Sequence, residues 1–359
     1  MIARSVLLIA LLMLASACGG AGVGAPSPSA SSAPTASAAG NVVLPKPELT
    51  SIKMGLASVA SAANIGVYVK QLGLSGKYGV NIEFVQFNGT GPALQALIAG
   101  QVDMNYNTAS AIFPTIGTSS HSQVVWVPRS NVKDILFSQA AIKTAADLKG
   151  KTVAISSIGG ASYASAILAL KELGLTDKDV TLVAVGNDQQ RLAALRGGSV
   201  AASVQDNTQE KPLNDQGFVS LVRLKDLKTP VGQPGSSIIV PVDFQKKNPN
   251  TVLAVVATYM DGFQQFRALG AKGAAPYLIK EMTSLSLDEA ERQIALELEE
   301  PWQPKDGMCR AEDITFAKQI ALSANPALAN IDPLLACNNE FLLKLKDLGF
   351  QKKLGVPGY

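Results

Sequence analysis

The chain has one histidine, three cysteines and two tryptophans in 359 residues. A Ser–His nucleophile system would have to use that one histidine, His121, which sits in a stretch, Ser119–Ser122, that reads as a surface loop. One histidine and two cysteines that read as a bridged pair, Cys309 and Cys337, leave no usual zinc ligand set. Gly159–Gly160 is not followed by Gly-Lys-Ser/Thr, so the phosphate-gripping P-loop is missing. Glu299 and Glu300 are adjacent, and adjacent residues on a helix do not face each other as paired acids would. No cofactor or metal and no enzymatic activity is expected from this inventory. Charge is sparse as well: charged residues make up 16% of the chain and the net charge is +3. A nucleic-acid surface needs clustered basic residues, and none is expected here. Beyond the N-terminus no apolar run approaches the roughly 20 residues of a membrane-spanning helix. The hydrophobic fraction of 47% therefore belongs to a buried core.

What is there begins with a leader. Arg4 precedes an apolar run, Val6–Ala15, followed by small residues and then Cys18. Basic, apolar, small is the order of a secretory signal, assigned to residues 1–17. Leu14–Cys18 is similar to a bacterial lipobox, although Ala15 stands where Leu is usual. Cys18 is the expected lipidation site, with an ordinary cleaved signal as the alternative. Gly19–Gly40 is almost only Gly, Ala, Ser, Pro and Thr, so residues 18–48 are expected to form a disordered tether to a membrane surface. In an exported chain the remaining cysteines, Cys309 and Cys337, read most simply as a disulfide worth roughly 3 kcal/mol. Two buried free thiols are the alternative.

The remainder alternates strand, short polar loop and helix. Ser51–Leu56, Val80–Phe87 and Val102–Tyr106 read as strands, with helices over Gly66–Leu72 and Pro92–Ala99. The rhythm restarts with Thr152–Ser156, Val180–Val185 and Val200–Val204, with one helix opened by Ile158–Tyr163 and running to Leu173 and another over Asp188–Leu195. Ser236–Val240 reads as a returning strand. Beyond Pro249 the pattern is helical, with segments Thr251–Leu269, Ala274–Met282 and Leu287–Leu298. This is the βαβ pattern of helix-covered parallel sheets, repeated in two units, and two α/β lobes with a cleft between them fit it better than one large sheet. In such sheets ligands bind beyond the carboxyl ends of the strands.

Three loops there carry small polar residues at helix starts: Asn88–Gly89–Thr90, Asn107–Thr108–Ala109–Ser110, and Gly159–Gly160–Ala161–Ser162–Tyr163. Free N–H groups and a partial positive charge suit such ends to an anion, and glycine permits close backbone approach. Plain helix capping is the competing reading of each loop. Asn64, and Asp206–Asn207–Thr208, are further candidates whose competing reading is an ordinary turn. Tyr163 either contacts a ligand or packs its helix. Arg129 and Arg191 read as surface positions with some capacity to pair with an anion.

Several stretches taken in order carry a resemblance. Leu72–Leu74, Tyr78–Val85, Ala93–Asp103, Asp147–Ala154 and Asp179–Gly186 followed by Arg191–Val204 resemble the nitrate/sulfonate/taurine-type (THI5-like) solute-binding proteins of ABC importers, over about Ser51–Gln265. The resemblance implies a type II periplasmic binding protein fold: two α/β lobes joined by two crossing strands, here with a helical C-terminal extension. It implies lobe one at 49–138 plus 235–359 and lobe two at 139–234. It also implies a small-molecule ligand, an ABC permease as partner, no chemistry on the cargo, and an exported monomer. The cargo implied first is a small organic anion, sulfonate- or carboxylate-like. A neutral or aromatic solute such as a thiamine-type pyrimidine is the alternative, and an exported enzyme or sensor-like binding module a more distant one. The family's enzymatic branch carries a cysteine cluster, and this sequence has none.

Overall fold

The computed structural model describes residues 42–57, 62, 64–128, 132–227, 236–299, 306–311, 314, 317–318, 321–322 and 325–356. The signal at 1–17, Cys18, most of the tether and Arg129 lie outside the described residues. In chain order the first strands and helices are β1 (Ser51–Leu56), α1 (Ile65–Gln71), β2 (Asn81–Gln86), α2 (Thr90–Ile98), β3 (Met104–Thr108), β4 (Ser122–Trp126) and β5 (Ile135–Ser138). There follow α3 (Ala145–Leu148), β6 (Thr152–Ile155), α4 (Ala161–Glu172), β7 (Thr181–Ala184), α5 (Asp188–Arg196), β8 (Ala202–Gln205), α6 (Glu210–Asp215), β9 (Val219–Arg223) and β10 (Ser236–Pro241). Helices α7 (Val242–Lys247), α8 (Pro249–Glu281) and α9 (Leu287–Glu299) come next.

The strands form two five-stranded sheets, ordered β2-β1-β3-β10-β4 and β7-β6-β8-β5-β9. In the first, β1 runs parallel to β2 and β3, and β10 is antiparallel to β3 and β4. In the second, β6 is parallel to β7 and β8, and β5 is antiparallel to β8 and β9. The two-unit α/β reading of the sequence is therefore met. One boundary is corrected. Residues 135–138 were expected in lobe one, but β5 pairs with β8 and β9, so the chain crosses before Ile135. Strand β9 has no counterpart in the sequence reading.

The pattern of burial explains the elements. All five residues of β3 are buried because both faces of the sheet are covered. Met104 and Tyr106 join a core with Tyr68 of α1 and Tyr259 and Phe266 of α8. Asn105 and Asn107, on the other face, reach α2. Helices α1 and α8 approach closely at Gly262, where a Cβ would lie 2.7 Å from Val69 Cγ2. Helix α8 is interrupted at Gly270 (φ 62°, ψ −174°), between the two helices expected from the sequence. A second core, including Leu148, Val153, Ile155 and Leu170, fills lobe two.

Cys309 and Cys337 form the expected disulfide, with a Cα–Cα distance of 5.7 Å. The bridge joins two segments that hydrogen-bond to β4 and to the residue after it. Asn338 N–H donates to the Val124 carbonyl at 2.9 Å, and Val127 N–H to the Gly307 carbonyl at 2.8 Å. Together they cover a sheet edge that would otherwise expose unpaired backbone groups.

The tether is shorter than expected at its C-terminal end. Val42 and Leu44 pack against the lobe-one core. The Glu48 carboxylate accepts from Asn250 N–H at 3.0 Å and Thr251 N–H at 2.7 Å, at the start of α8. An anion there satisfies free N–H groups and meets the positive end of the helix dipole. Glu48 is held below the usual carboxylate range: burial raises its pKa, and these backbone hydrogen bonds more than offset that.

Candidate ligand-binding cleft

The carboxyl ends of β1, β2 and β3 in lobe one, and of β6 and β8 in lobe two, supply the loops singled out in the sequence. Asn64 caps α1: its Oδ1 accepts from Gly66 N–H at 3.0 Å, which fixes the amide orientation. The Nδ2 group is left as a buried donor with no partner in the protein, on a residue 2% exposed. The Tyr259 hydroxyl is likewise buried and unpartnered. A Cβ on Gly66 would lie 3.0 Å from Asn64 Oδ1 and 3.3 Å from the Tyr259 hydroxyl, so glycine lets both groups approach one spot. The Tyr259 ring is fixed by Tyr106 at 5.2 Å and Trp126 at 5.9 Å between centroids. Burial, and secondarily Tyr106, raise its pKa, so the phenol keeps its proton and can donate.

The loop after β3 divides between support and reception. Asn107 Nδ2 donates to the Thr90 carbonyl at 3.2 Å, and its Oδ1 accepts from Thr108 N–H at 2.8 Å. Asn105 Nδ2 donates to the Ala93 carbonyl at 2.7 Å. These asparagines clamp the first turn of α2 onto the sheet, so Asn107 is occupied by support. Ser110, 1% exposed, has a hydroxyl without a partner. Thr90 and Thr108 are buried as well.

In lobe two, Ser162 Oγ accepts from Ser156 N–H at 2.6 Å and its hydroxyl donates to Ser156 Oγ at 2.9 Å, closing the turn into α4. A Cβ on Gly160 would lie 2.9 Å from both Ser156 Oγ and Ser157 Oγ. The Ser157 hydroxyl has no partner in the protein. After β8, Asp206 caps a 3₁₀ turn, Asn207–Gln209, by accepting from Thr208 N–H at 2.9 Å. Asn207, 7% exposed, keeps an unpartnered Oδ1. Tyr163 lies in the lobe-two core. Arg191 is buried rather than superficial: it donates to the carbonyls of Val204 (3.2 Å) and Gly186 (2.8 Å) and pairs with Asp188.

The lips of the two lobes touch. Asn187 Nδ2 donates to Asn88 Oδ1 at 3.2 Å. A Cβ on Gly89 would be 3.8 Å from Ser156 Cβ, and one on Gly91 3.4 Å from Ser157 Oγ. The start of α2 therefore lies against the loop that leads into α4. Lys133, between the sheets, is 2% exposed and paired with Glu297 of α9, itself 1% exposed, with Asp206 3.9 Å away. Asp134 accepts from the Ser165 hydroxyl at 2.5 Å. Burial, reinforced by Asp206 and Asp188, pushes it up to about 6 despite that hydrogen bond.

Five of the buried polar atoms without a protein partner belong to these loops and to α8: Asn64 Nδ2, Ser110 Oγ and Tyr259 OH from lobe one, Ser157 Oγ and Asn207 Oδ1 from lobe two. An unsatisfied buried group costs about 1–3 kcal/mol. Four of them lie at strand ends and the fifth, Tyr259, reaches the same region from α8. Gly89, Thr90, Gly159, Gly160 and Ser162 lie in or next to the loops that carry these atoms. Sequence reasoning had no signal for Tyr259, which lies in an apolar helix, and passed over Ser157. Among the described residues no cluster of His, Cys, Asp and Glu is arranged to hold a metal ion. His121, the only histidine, has its Nε2 3.1 Å from the Leu335 carbonyl oxygen.

Two α/β sheets with ligand-suited loops meeting at their carboxyl ends define the periplasmic binding protein fold. A family model, that of the NMT1-like family, matches residues 45–279, and the chain belongs to that family. Solved structures agree. The periplasmic aliphatic sulphonate-binding protein SsuA of Escherichia coli is 22% identical, with a TM-score of 0.61 over 81% of this chain and 92% of that one. The alkanesulfonate-binding protein SsuA of Xanthomonas axonopodis pv. citri, bound to MOPS, is 21% identical, with a TM-score of 0.62 over 80% and 97%. The periplasmic nitrate-binding protein NrtA of Synechocystis PCC 6803 is 15% identical, with a TM-score of 0.71 over 88% and 92%. These relatives are binding proteins, not enzymes. Among curated proteins no sequence matches.

Proposed function

We propose that the protein is the extracytoplasmic solute-binding component of an ABC importer, which captures a small organic anion between its lobes and delivers it to a permease. The observation that carries this reading is the set of unpartnered polar groups drawn from both lobes. Asn64 Nδ2, the Tyr259 hydroxyl and the Ser110 and Ser157 hydroxyls are neutral donors, and the start of α2 lies against the loop leading into α4. Such a site suits a sulfonate or carboxylate, since backbone N–H groups and neutral donors stabilise an anion without an ion pair. The sulfonate and nitrate specificities of the structural relatives point the same way.

One observation favours a second reading, a neutral polar solute. Lys133, Arg191 and Arg292 at the cleft edge are each already held by a carboxylate, and Asp134 and Asp206 stand nearby. A thermal-shift screen of sulfonates, carboxylates, nitrate and pyrimidines separates the two. Ligand at 100 times its Kd should add about 2.7 kcal/mol of stability. A shift with pyrimidines alone would favour the neutral solute; no shift with any member, together with turnover of some substrate, would reject transport. Export and lipid anchoring at Cys18, with a monomer working beside the membrane, complete the proposal. Cys18→Ser should release the protein from membranes, and unchanged membrane retention would rule the anchor out.

A further inference from the structure

Helix α9 lies beyond residues 45–279 matched by the family model, yet it reaches the ligand-facing loop of lobe two. Its Ala290 and Ile294 are buried in the lobe-one core, alongside α8. From the same helix Arg292 donates to the Thr208 carbonyl at 2.6 Å. The Glu289 carboxylate orients that guanidinium through bonds of 2.7 and 2.5 Å, and Gln293 braces Glu289 at 2.8 Å. A guanidinium carries a rigid fork of donors, so one side chain can hold a carboxylate and a carbonyl together. Five residues on, Glu297 holds the buried Lys133 ammonium, which lies 3.9 Å from the Asp206 carboxylate. The short turn Asp206–Thr208 is therefore gripped twice from outside its own lobe, at the Thr208 carbonyl and at the Asp206 carboxylate. Buried ion pairs add little net stability, because desolvation offsets attraction; their geometry is what they can contribute.

We infer that α9 is a strap across the lobes, in which Arg292 and Glu297 are positioning residues that set the Asp206–Thr208 turn, and with it Asn207, against the cleft. The inference rests on the cleft reading only in taking Asn207 as a ligand contact; the strap itself is measured without ligand. A three-residue turn has few core contacts of its own, so it belongs to the easily opened part of the structure unless something holds it. Removing the grip frees the turn and leaves both sheets intact.

The test is amide hydrogen exchange on the full chain, ligand-free, for wild type, Arg292→Ala, Arg292→Lys and Glu297→Gln. Thr208 and Gln209 N–H groups bond to Asp206 at 2.9 and 3.0 Å and report on the turn. Arg292→Ala should speed exchange there about tenfold, with β8 and α8 changed less than about twofold, and Glu297→Gln should speed it beyond the rise that its loss of global stability gives to β8 and α8. Arg292→Lys keeps a donor and should restore part of the protection. Unchanged exchange at Thr208 and Gln209 in Arg292→Ala overturns the inference. So does a rise shared equally by β8 and α8, which would make Arg292 a general stability residue. Arg292 is partly exposed, so its variants should fold even if Glu297→Gln does not. If no ligand shifts the melting point while the exchange result holds, the cleft reading fails and the strap stands.

Discussion

Removing one member of the Lys133–Glu297 pair should cost more than removing both. The two side chains are 2% and 1% exposed, so each charge is out of water and depends on the other. Truncating a single partner leaves an uncompensated buried charge, at about 3–5 kcal/mol. The two single variants should differ. After Glu297→Gln, Lys133 still has Asp206 at 3.9 Å, a carboxylate 32% exposed, and the loss falls at the low end of that range. After Lys133→Met, Glu297 and Asp206 lose the cation they share, and the loss falls at the high end. Lys133→Met combined with Glu297→Met replaces both charges by apolar groups of similar length, and should come within about 1 kcal/mol of wild type or exceed it. Urea unfolding, followed by circular dichroism at matched pH and salt, gives the four free energies of the cycle. Additive losses in the double variant, or single losses below about 1 kcal/mol, would refute the claim that this is a buried, mutually dependent pair.

Reducing Cys309–Cys337, with its sequence separation of 28, should remove roughly 3–4 kcal/mol of stability by the loop-entropy relation, read as a lower urea midpoint with dithiothreitol present. The Asp134 carboxyl gives a pH signature. Its native pKa of about 6 lies above the ordinary 3.8, so the folded state holds its proton more tightly and gains stability as pH falls through 6. From pH 8 to pH 5 this group should add on the order of 1 kcal/mol, and Asp134→Asn should remove that gain. An identical pH dependence in wild type and variant would sink the assignment.

The parts of the fold legible in the sequence were those with local causes. The alternation in β2, the glycine break at Gly270 between two apolar helices, and the even pair of late cysteines each left a mark within a few residues. What escaped depended on distant partners. Ile135–Ser138 is a four-residue apolar strand, and nothing within it says which sheet will hydrogen-bond to it. Glu48 read as part of a linker because its partners, Asn250 and Thr251, lie some two hundred residues away. The sequence pointed to the strand ends, but roles within their loops were not readable. Asn107 and Ser110 look alike as small polar residues before a helix. Only the tertiary structure spends Asn107 on Thr90 and leaves the Ser110 hydroxyl unpartnered. Tyr259 was invisible because its hydroxyl projects from a helix that otherwise reads as core.

The central claim, that a small ligand is held between the lobes by these unpartnered groups, is tested most directly by isothermal titration of the thermal-shift screen's strongest sulfonate or carboxylate into wild type and Tyr259→Phe. The account predicts one-to-one binding to wild type, weakened about tenfold when the hydroxyl is removed, which is the loss of roughly one hydrogen bond. Equal affinity in the two proteins, or no heat with any anion in the panel, would contradict it.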